Sequence, residues 1–164
     1  MKVTSNAEWY TPEPYLDRVR SVLGEIDLDP ASCALANERV KAKRYFTVAQ
    51  DGLAQCWSGR VYLNPPYSRG VIDRFVGKLL QHRYYGDIAE YITLTNVSVD
   101  TRWAQLLMLY SERVCFVRGR ISFDTASGAC KVKPPVGQMF CYGGRRPGSF
   151  SEVFGKIGVI VKGA

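Results

Sequence analysis

What most constrains this chain is a repeated switch of hydrophobic period. From Thr11 to Val117, stretches with helical spacing alternate with short apolar runs of strand character. Residues 11–24 place Leu16, Val19 and Leu23 on one face, with prolines in the first turn and Gly24 at the end, which predicts a helix capped by Thr11. Residues 25–30 read as a short strand ending at Asp29-Pro30, residues 31–42 as a short helix, and residues 43–48 as a strand. A loop with a turn covers 51–59, and a strand at 60–63 runs directly into Asn64. Residues 70–85 carry Val71, Ile72, Phe75, Val76, Leu79 and Leu80 at helical spacing. A strand follows at 88–95, then a helix at 100–111 capped by Asp100. This alternation favours βαβ units and a mainly parallel sheet. After Arg113 strands and turns dominate: strands at 113–119, 120–124 and 137–144, a Gly/Pro/Lys-rich loop before the third, a helix at 148–158 and a strand at 159–162. Ligands of open α/β sheets bind beyond the carboxyl ends of the strands. Two strands here end in polar, turn-forming clusters, at Asp29-Pro30 and at Asn64-Pro65-Pro66-Tyr67. As neighbours they would open on one crevice.

The length of 164 residues suits a single domain over 1–164, able to bury a core without covalent staples. No internal repeat or low-complexity tract interrupts it. No apolar run is long enough to span a bilayer, and the first ten residues lack the apolar core of a signal peptide, so a cytoplasmic protein is expected. Five cysteines, widely spaced and without a CxxC pair, accompany a single histidine, His82. That pattern argues against a disulfide framework and against a Cys/His zinc site, and no metal is expected. His82 reads as a surface helix residue.

The charge is unevenly distributed. Residues 1–112 carry 13 Lys and Arg against 13 Asp and Glu, whereas residues 113–164 carry 9 against 2, so the net charge of +7 resides in the last third. A basic segment beside a neutral one points to a polyanionic partner, most simply nucleic acid.

Asn64-Pro65-Pro66-Tyr67 carries the most specific chemistry. The residue before a proline is driven to extended backbone, and the two prolines fix φ and supply no N–H. The turn therefore offers acceptors, the Asn64 side-chain oxygen and the Pro65 carbonyl, followed by the flat ring of Tyr67. A primary amine on an aromatic base has two N–H donors and a lone pair delocalised into the ring. Two acceptors holding both hydrogens favour a more tetrahedral nitrogen with its lone pair directed outward, while the base stacks on Tyr67, worth about 1–3 kcal/mol. Fixed dipoles of this kind stabilise a transition state more than a ground state. The natural electrophile is the methyl group of a sulfonium cofactor, and the geometry suits the amine of adenine or of cytosine.

The sequence resembles the small phage-encoded DNA adenine-N6 methyltransferases, the phage Dam family. The resemblance rests on "EWYTPEPYL", "IDLDPASCALANERVKAKRYFT" and "DGLAQCWSGRVYLNPPYS", then "LTNVSVDTRW", "VCFVRGRISF", "FCYGG" and "FSEVFGKIG". It implies a minimal Rossmann-like methyltransferase sheet, an α/β fold with a basic, strand- and loop-rich C-terminal third, and S-adenosylmethionine as cofactor. It implies a catalytic role for Asn64, Pro65, Pro66 and Tyr67. It further implies cofactor contacts from Thr11 and Pro12, from Asp29, Pro30, Ala31 and Ser32 after the first strand, and from Asp51. The substrate it implies is adenine in DNA.

Asp29-Pro30-Ala31-Ser32 lacks the glycines of larger methyltransferases, and the 34 residues between Asp29 and Asn64 hold no separate recognition domain. DNA contacts are therefore expected after Asn64, from Arg118, Arg120, Lys131, Lys133, Arg145 and Arg146, with residues 127–137 as a DNA-facing loop. The target base must be flipped out or met single-stranded. Two rivals stand: an amino-group methyltransferase acting on protein glutamine or cytosine N4, and a non-catalytic DNA-binding remnant.

Overall fold

Prolines at the start of a helix occupy positions whose N–H groups have no partner within the helix. The computed structural model, which describes residues 9–126 and 131–163, begins its first helix α1 (Glu13–Leu23) in this way. Pro12 is the N-cap; Thr11, expected to cap the helix, turns its hydroxyl toward Tyr62 instead. Gly24 ends α1 at φ 79°, donating its N–H to the Arg20 carbonyl. At 11 residues α1 is too short to be stable alone. Leu16, Val19, Val22 and Leu23 are fully buried, each contributing roughly 1.5–3 kcal/mol.

The remaining elements follow the expected alternation: β1 (Leu28–Asp29), α2 (Ala34–Val40), β2 (Arg44–Tyr45), a 3₁₀ turn (Val48–Gln50), β3 (Gly59–Leu63), α3 (Val71–Tyr84), β4 (Ile88–Asn96) and α4 (Arg102–Tyr110). Then come β5 (Arg113–Val117), β6 (Phe123–Asp124), β7 (Lys131–Val132), β8 (Gln138–Gly143), α5 (Pro147–Phe154) and β9 (Gly158–Lys162). Thr101, not Asp100, is the N-cap of α4, and no side chain caps it. The strands expected at 43–48 and 120–124 shrink to two residues each, because only those residues find a strand partner.

Seven strands form one sheet in the order β2-β1-β3-β4-β8-β5-β9, while β6 and β7 pair separately. β2, β1, β3 and β4 are mutually parallel. β8 lies antiparallel between β4 and β5, and β9 is antiparallel to β5. Five of the seven strands thus run one way, a mixed sheet with a parallel half. Alternate side chains enter two cores. Tyr62, Ile92, Leu94, Phe140 and Tyr142 pack under α1, α2 and α5, whereas Val61, Leu63, Tyr91, Met139 and Cys141 pack under α3 and α4. Cys115 and Cys141 are buried, Cys33 is half-buried and Cys56 exposed, and burial pushes Cys141 up to about 12; Cys130 lies outside the described residues. Among the described residues no helix is long and apolar enough to cross a membrane.

Candidate active site

Because β1 and β3 are parallel neighbours, paired at Leu28 and Val61, the clusters that follow them emerge side by side. They open on a cavity of about 710 Å³, within the range of small-molecule sites. Its walls include Thr11, Asp29, Pro30, Ala31, Ser32, Asp51, Asn64, Pro65, Pro66 and Tyr67. Ten of the eleven proposed catalytic and cofactor residues thus converge from segments spread over 57 positions. The eleventh, Pro12, caps α1 and is not part of the lining.

Asn64 is oriented from behind. Its Nδ2 reaches the Thr11 hydroxyl at 3.5 Å, a long contact, and that hydroxyl shares a hydrogen bond of 2.8 Å with Tyr62 Oη. With Nδ2 turned toward Thr11, the Asn64 oxygen faces the other way. Among the described residues no donor occupies that oxygen or the Pro65 carbonyl, so both acceptors are free. Tyr67 is 42% exposed, yet its hydroxyl is enclosed and accepts the Asn96 N–H at 2.8 Å. Burial of that hydroxyl raises its pKa. The ring is thereby pinned at its far end with a face left open.

Asp29 is 4% exposed, and burial pushes its carboxyl up to about 6; the Ala31 N–H, which donates to Oδ1 at 3.2 Å, offsets this only in part. The Asp51-Gly52 turn packs against the same loop. A Cβ on Gly52 would stand 2.0 Å from the Pro30 carbonyl oxygen, so this position tolerates only glycine. Trp57 fixes the turn from the other core by donating its indole N–H to the Gly52 carbonyl at 2.7 Å.

Two further atoms bear on what the cavity holds. Ser32 Oγ and Trp9 Nε1 are buried, belong to residues lining the cavity and have no hydrogen-bond partner among the described residues. Ser32 Oγ is close enough to Asp29 to ease its carboxyl downward, but makes no bond of ordinary length. Each unmet buried group costs about 1–3 kcal/mol. An unmet hydroxyl at Ser32 close to the buried Asp29 carboxylate, with the Trp9 indole N–H elsewhere on the wall, fits a polar, cationic cofactor of nucleoside size. Among the described residues no group of three or more His, Cys, Asp or Glu side chains gathers to hold a metal ion.

A family model described as DNA N-6-adenine-methyltransferase (Dam) matches residues 1–139. The chain belongs to the Dam family. No curated protein matched the sequence. The Dam match spans every residue of the cavity wall and ends within β8.

The six basic residues assigned to DNA divide into two groups in this Dam chain. Arg118 and Arg120 follow β5 at its carboxyl end, the end at which β3 and β4 reach the cavity, while Lys131 begins β7 and Lys133 follows it, in the stretch between β5 and β8. All four are exposed and without a carboxylate partner among the described residues. Arg145 and Arg146 follow the opposite end of β8. Gln138 pairs with Asn96 and Gly143 with Tyr91, so these arginines lie about 16 Å along the sheet from the cavity end. Arg146 is also engaged: its Nη2 pairs with the buried Glu90 carboxylate at 2.6 Å. His82 pairs with Asp87 at 2.8 Å and is not part of the cavity lining. Part of the expected DNA-facing loop, residues 127–130, lies outside the described residues.

Sequence reasoning passed over several wall residues. Trp9, Tyr10, Arg39, Phe46, Tyr62, Arg74, Asn96 and Phe123 line the cavity. Tyr62 and Phe123 look like core residues from spacing alone. Arg74 sits in the electrically neutral part of the sequence, where the charge split draws no attention to it. It is exposed, as are Arg69 and Arg102 near the carboxyl ends of β3 and β4, and none has an ion-pair partner among the described residues.

Proposed function

We propose that this chain transfers a methyl group from S-adenosylmethionine to the N6 amine of an adenine in DNA, as one methyltransferase unit over its whole length. The observation that carries the reading is the pair of free acceptors, Asn64 Oδ1 and the Pro65 carbonyl, beside an open and anchored Tyr67 face. S-adenosylmethionine, when bound, supplies an electrophilic methyl group on a sulfonium. Asp29 is the group to offset its positive charge, with Ala31, Ser32 and Asp51 as neighbours for its polar edges and Trp9 and Phe46 as apolar wall.

The residues around Asn64 do the rest. Asn64 Oδ1 and the Pro65 carbonyl accept the two amine hydrogens, which disfavours delocalisation of the lone pair into the purine. Tyr67 stacks on the ring and fixes its plane, so rate comes largely from positioning and prepared dipoles. An adenine in duplex must leave the stack to reach this wall. Arg74 in the cavity wall and the exposed cations at the same end of the sheet, without ion-pair partners among the described residues, favour DNA over the side-chain amide of a protein, since a protein substrate needs no such charge.

The direct test is incubation with labelled S-adenosylmethionine and unmethylated DNA or cell protein, followed by digestion of the labelled fraction. Label recovered as N6-methyladenine is expected. Label in protein alone, or in cytosine, would overturn the reading.

The division of cations makes a separate prediction. Removing one phosphate-neutralising side chain lowers the salt slope of log K by about 0.9 for duplex DNA. Replacing Arg118 and Arg120 together with Ala is expected to flatten the slope by nearly two units. Arg145→Ala is expected to leave it unchanged, and Arg146→Ala to lower the Tm by stranding Glu90 while the slope stays the same. Binding measured across a salt series, with thermal melts of the same proteins, checks both.

A further inference from the structure

Asn96 ends β4 at the cavity wall, and its side-chain orientation follows from its neighbours. Gln138, 1% exposed, lies behind it. The Ile121 backbone N–H donates to Gln138 Oε1 at 2.8 Å, and Gln138 Nε2 donates to the Val136 carbonyl at 2.7 Å. A backbone N–H can only donate and a carbonyl can only accept, so these two bonds fix which end of the Gln138 amide is which. Nε2 therefore donates its second hydrogen to Asn96, at 3.3 Å, and the atom receiving it is Oδ1. Asn96 Nδ2, with two N–H donors, is left without a partner among the described residues. The backbone N–H of the same residue holds the Tyr67 hydroxyl, which sets Asn96 at the far edge of the ring on which the target base stacks.

We infer that Asn96 Nδ2 donates a hydrogen bond to a ring nitrogen of the flipped adenine, making Asn96 a base-reading residue opposite Asn64 and Pro65. The inference rests on the methyltransferase reading above. Chemically the two ends of the site are complementary. The Asn64 and Pro65 end presents only acceptors and takes the amine, whereas the Asn96 end presents only donors and takes a lone pair. Adenine offers such lone pairs at N1, N3 and N7. The relay from Asn96 through Gln138 to Ile121 also ties this donor to the segment bearing Arg118 and Arg120, so one set of bonds holds the base reader and the start of the basic loop.

The test crosses Asn96→Ala with deaza substrates. Kinetics are measured for wild type and variant on duplexes whose target is adenine, 1-deazaadenine, 3-deazaadenine or 7-deazaadenine. Wild type is expected to lose about 10- to 100-fold in kcat/KM on one analogue, the effect of leaving one positioned donor without its acceptor. Asn96→Ala is expected to lose a similar factor on adenine and nothing further on that analogue, which also identifies the nitrogen. Asn96→Asp keeps an acceptor for Gln138 but no donor, so its loss should match or exceed that of Ala. Cofactor affinity and affinity for a duplex with an abasic target should be unchanged in both variants. Additive losses on all three analogues, or weakened cofactor binding, would overturn the inference while leaving the methyltransferase reading intact. Absence of N6-methyladenine with wild type would instead overturn the reading itself.

Discussion

Asn64→Ala is expected to lower kcat by about 10²–10³ while S-adenosylmethionine affinity stays near wild type, the usual penalty for deleting one prepared hydrogen-bonding group at a reacting centre. Asn64→Asp is expected to retain more activity than Asn64→Ala. The bond between the Thr11 and Tyr62 hydroxyls can run in either direction. When Tyr62 donates to Thr11, the Thr11 hydroxyl is free to donate forward to the introduced carboxylate, and its other oxygen still faces the amine. Thr11→Val removes this adjustment, so Thr11→Val with Asn64→Asp should be far less active than either change alone. Single-turnover kinetics with calorimetry of cofactor binding measure each quantity. Equal activity of Asn64→Ala and wild type would remove Asn64 from the chemistry. A loss confined to cofactor affinity would move it to the other half of the cavity.

Tyr67 separates by the same logic into ring and hydroxyl. Stacking needs the ring alone, so Tyr67→Phe should exceed Tyr67→Ala by a wide margin. Because the hydroxyl accepts the Asn96 N–H, Phe should still fall several-fold below wild type, its ring no longer held at the far end.

How legible this was in the sequence depends on where the determining forces lie. The elements of the first two-thirds were readable because periodicity reports burial, and Val61 and Leu63 enter one core while Tyr62 enters the other. The turn at Asn64-Pro65-Pro66-Tyr67 was readable because consecutive prolines leave a backbone few conformations. The neighbourhood of Asp29 and Asn64 followed from strand order, which alternation of βαβ type strongly limits. The antiparallel insertion of β8 between β4 and β5 was not readable, since it depends on long-range pairing and leaves no local trace. That insertion is what directs Arg145 and Arg146 away from the cavity, a displacement that net charge cannot register. Nor could Asn96 be singled out, since its donors are freed only by a glutamine 42 positions away. Thr11 misled for a related reason: its residue type suits a helix cap, but Tyr62 and Asn64 compete for the same hydroxyl and prevail.

Asp29→Asn is expected to stabilise the protein without ligand and to abolish tight cofactor binding. The Asp29 carboxyl is pushed up to about 6 from its ordinary 3.8 because its charged form is buried. Between those values the folded chain binds a proton that the unfolded chain has released, so stability falls as pH rises through this interval. Above pH 6 the penalty is complete and constant, on the order of 3 kcal/mol, and below about pH 4 it vanishes. Asn keeps the oxygen that accepts the Ala31 N–H and has no charge to bury. At pH 8 its Tm should therefore exceed wild type by roughly 5–10 °C, converting that penalty at the usual few degrees per kcal/mol for a chain of this size. At pH 4 the two should nearly coincide. Cofactor binding runs the opposite way, because the ionised carboxylate is what attracts a sulfonium ligand. Wild-type affinity for S-adenosylmethionine should weaken about tenfold per pH unit below 6, and Asp29→Asn should lose at least about 10²-fold at pH 8 with no such pH dependence. A variant that binds the cofactor normally at pH 8 would show that the buried charge serves something else. One that binds weakly and also melts below wild type would show that Asp29 holds the fold together and is not kept for its ligand at the fold's expense.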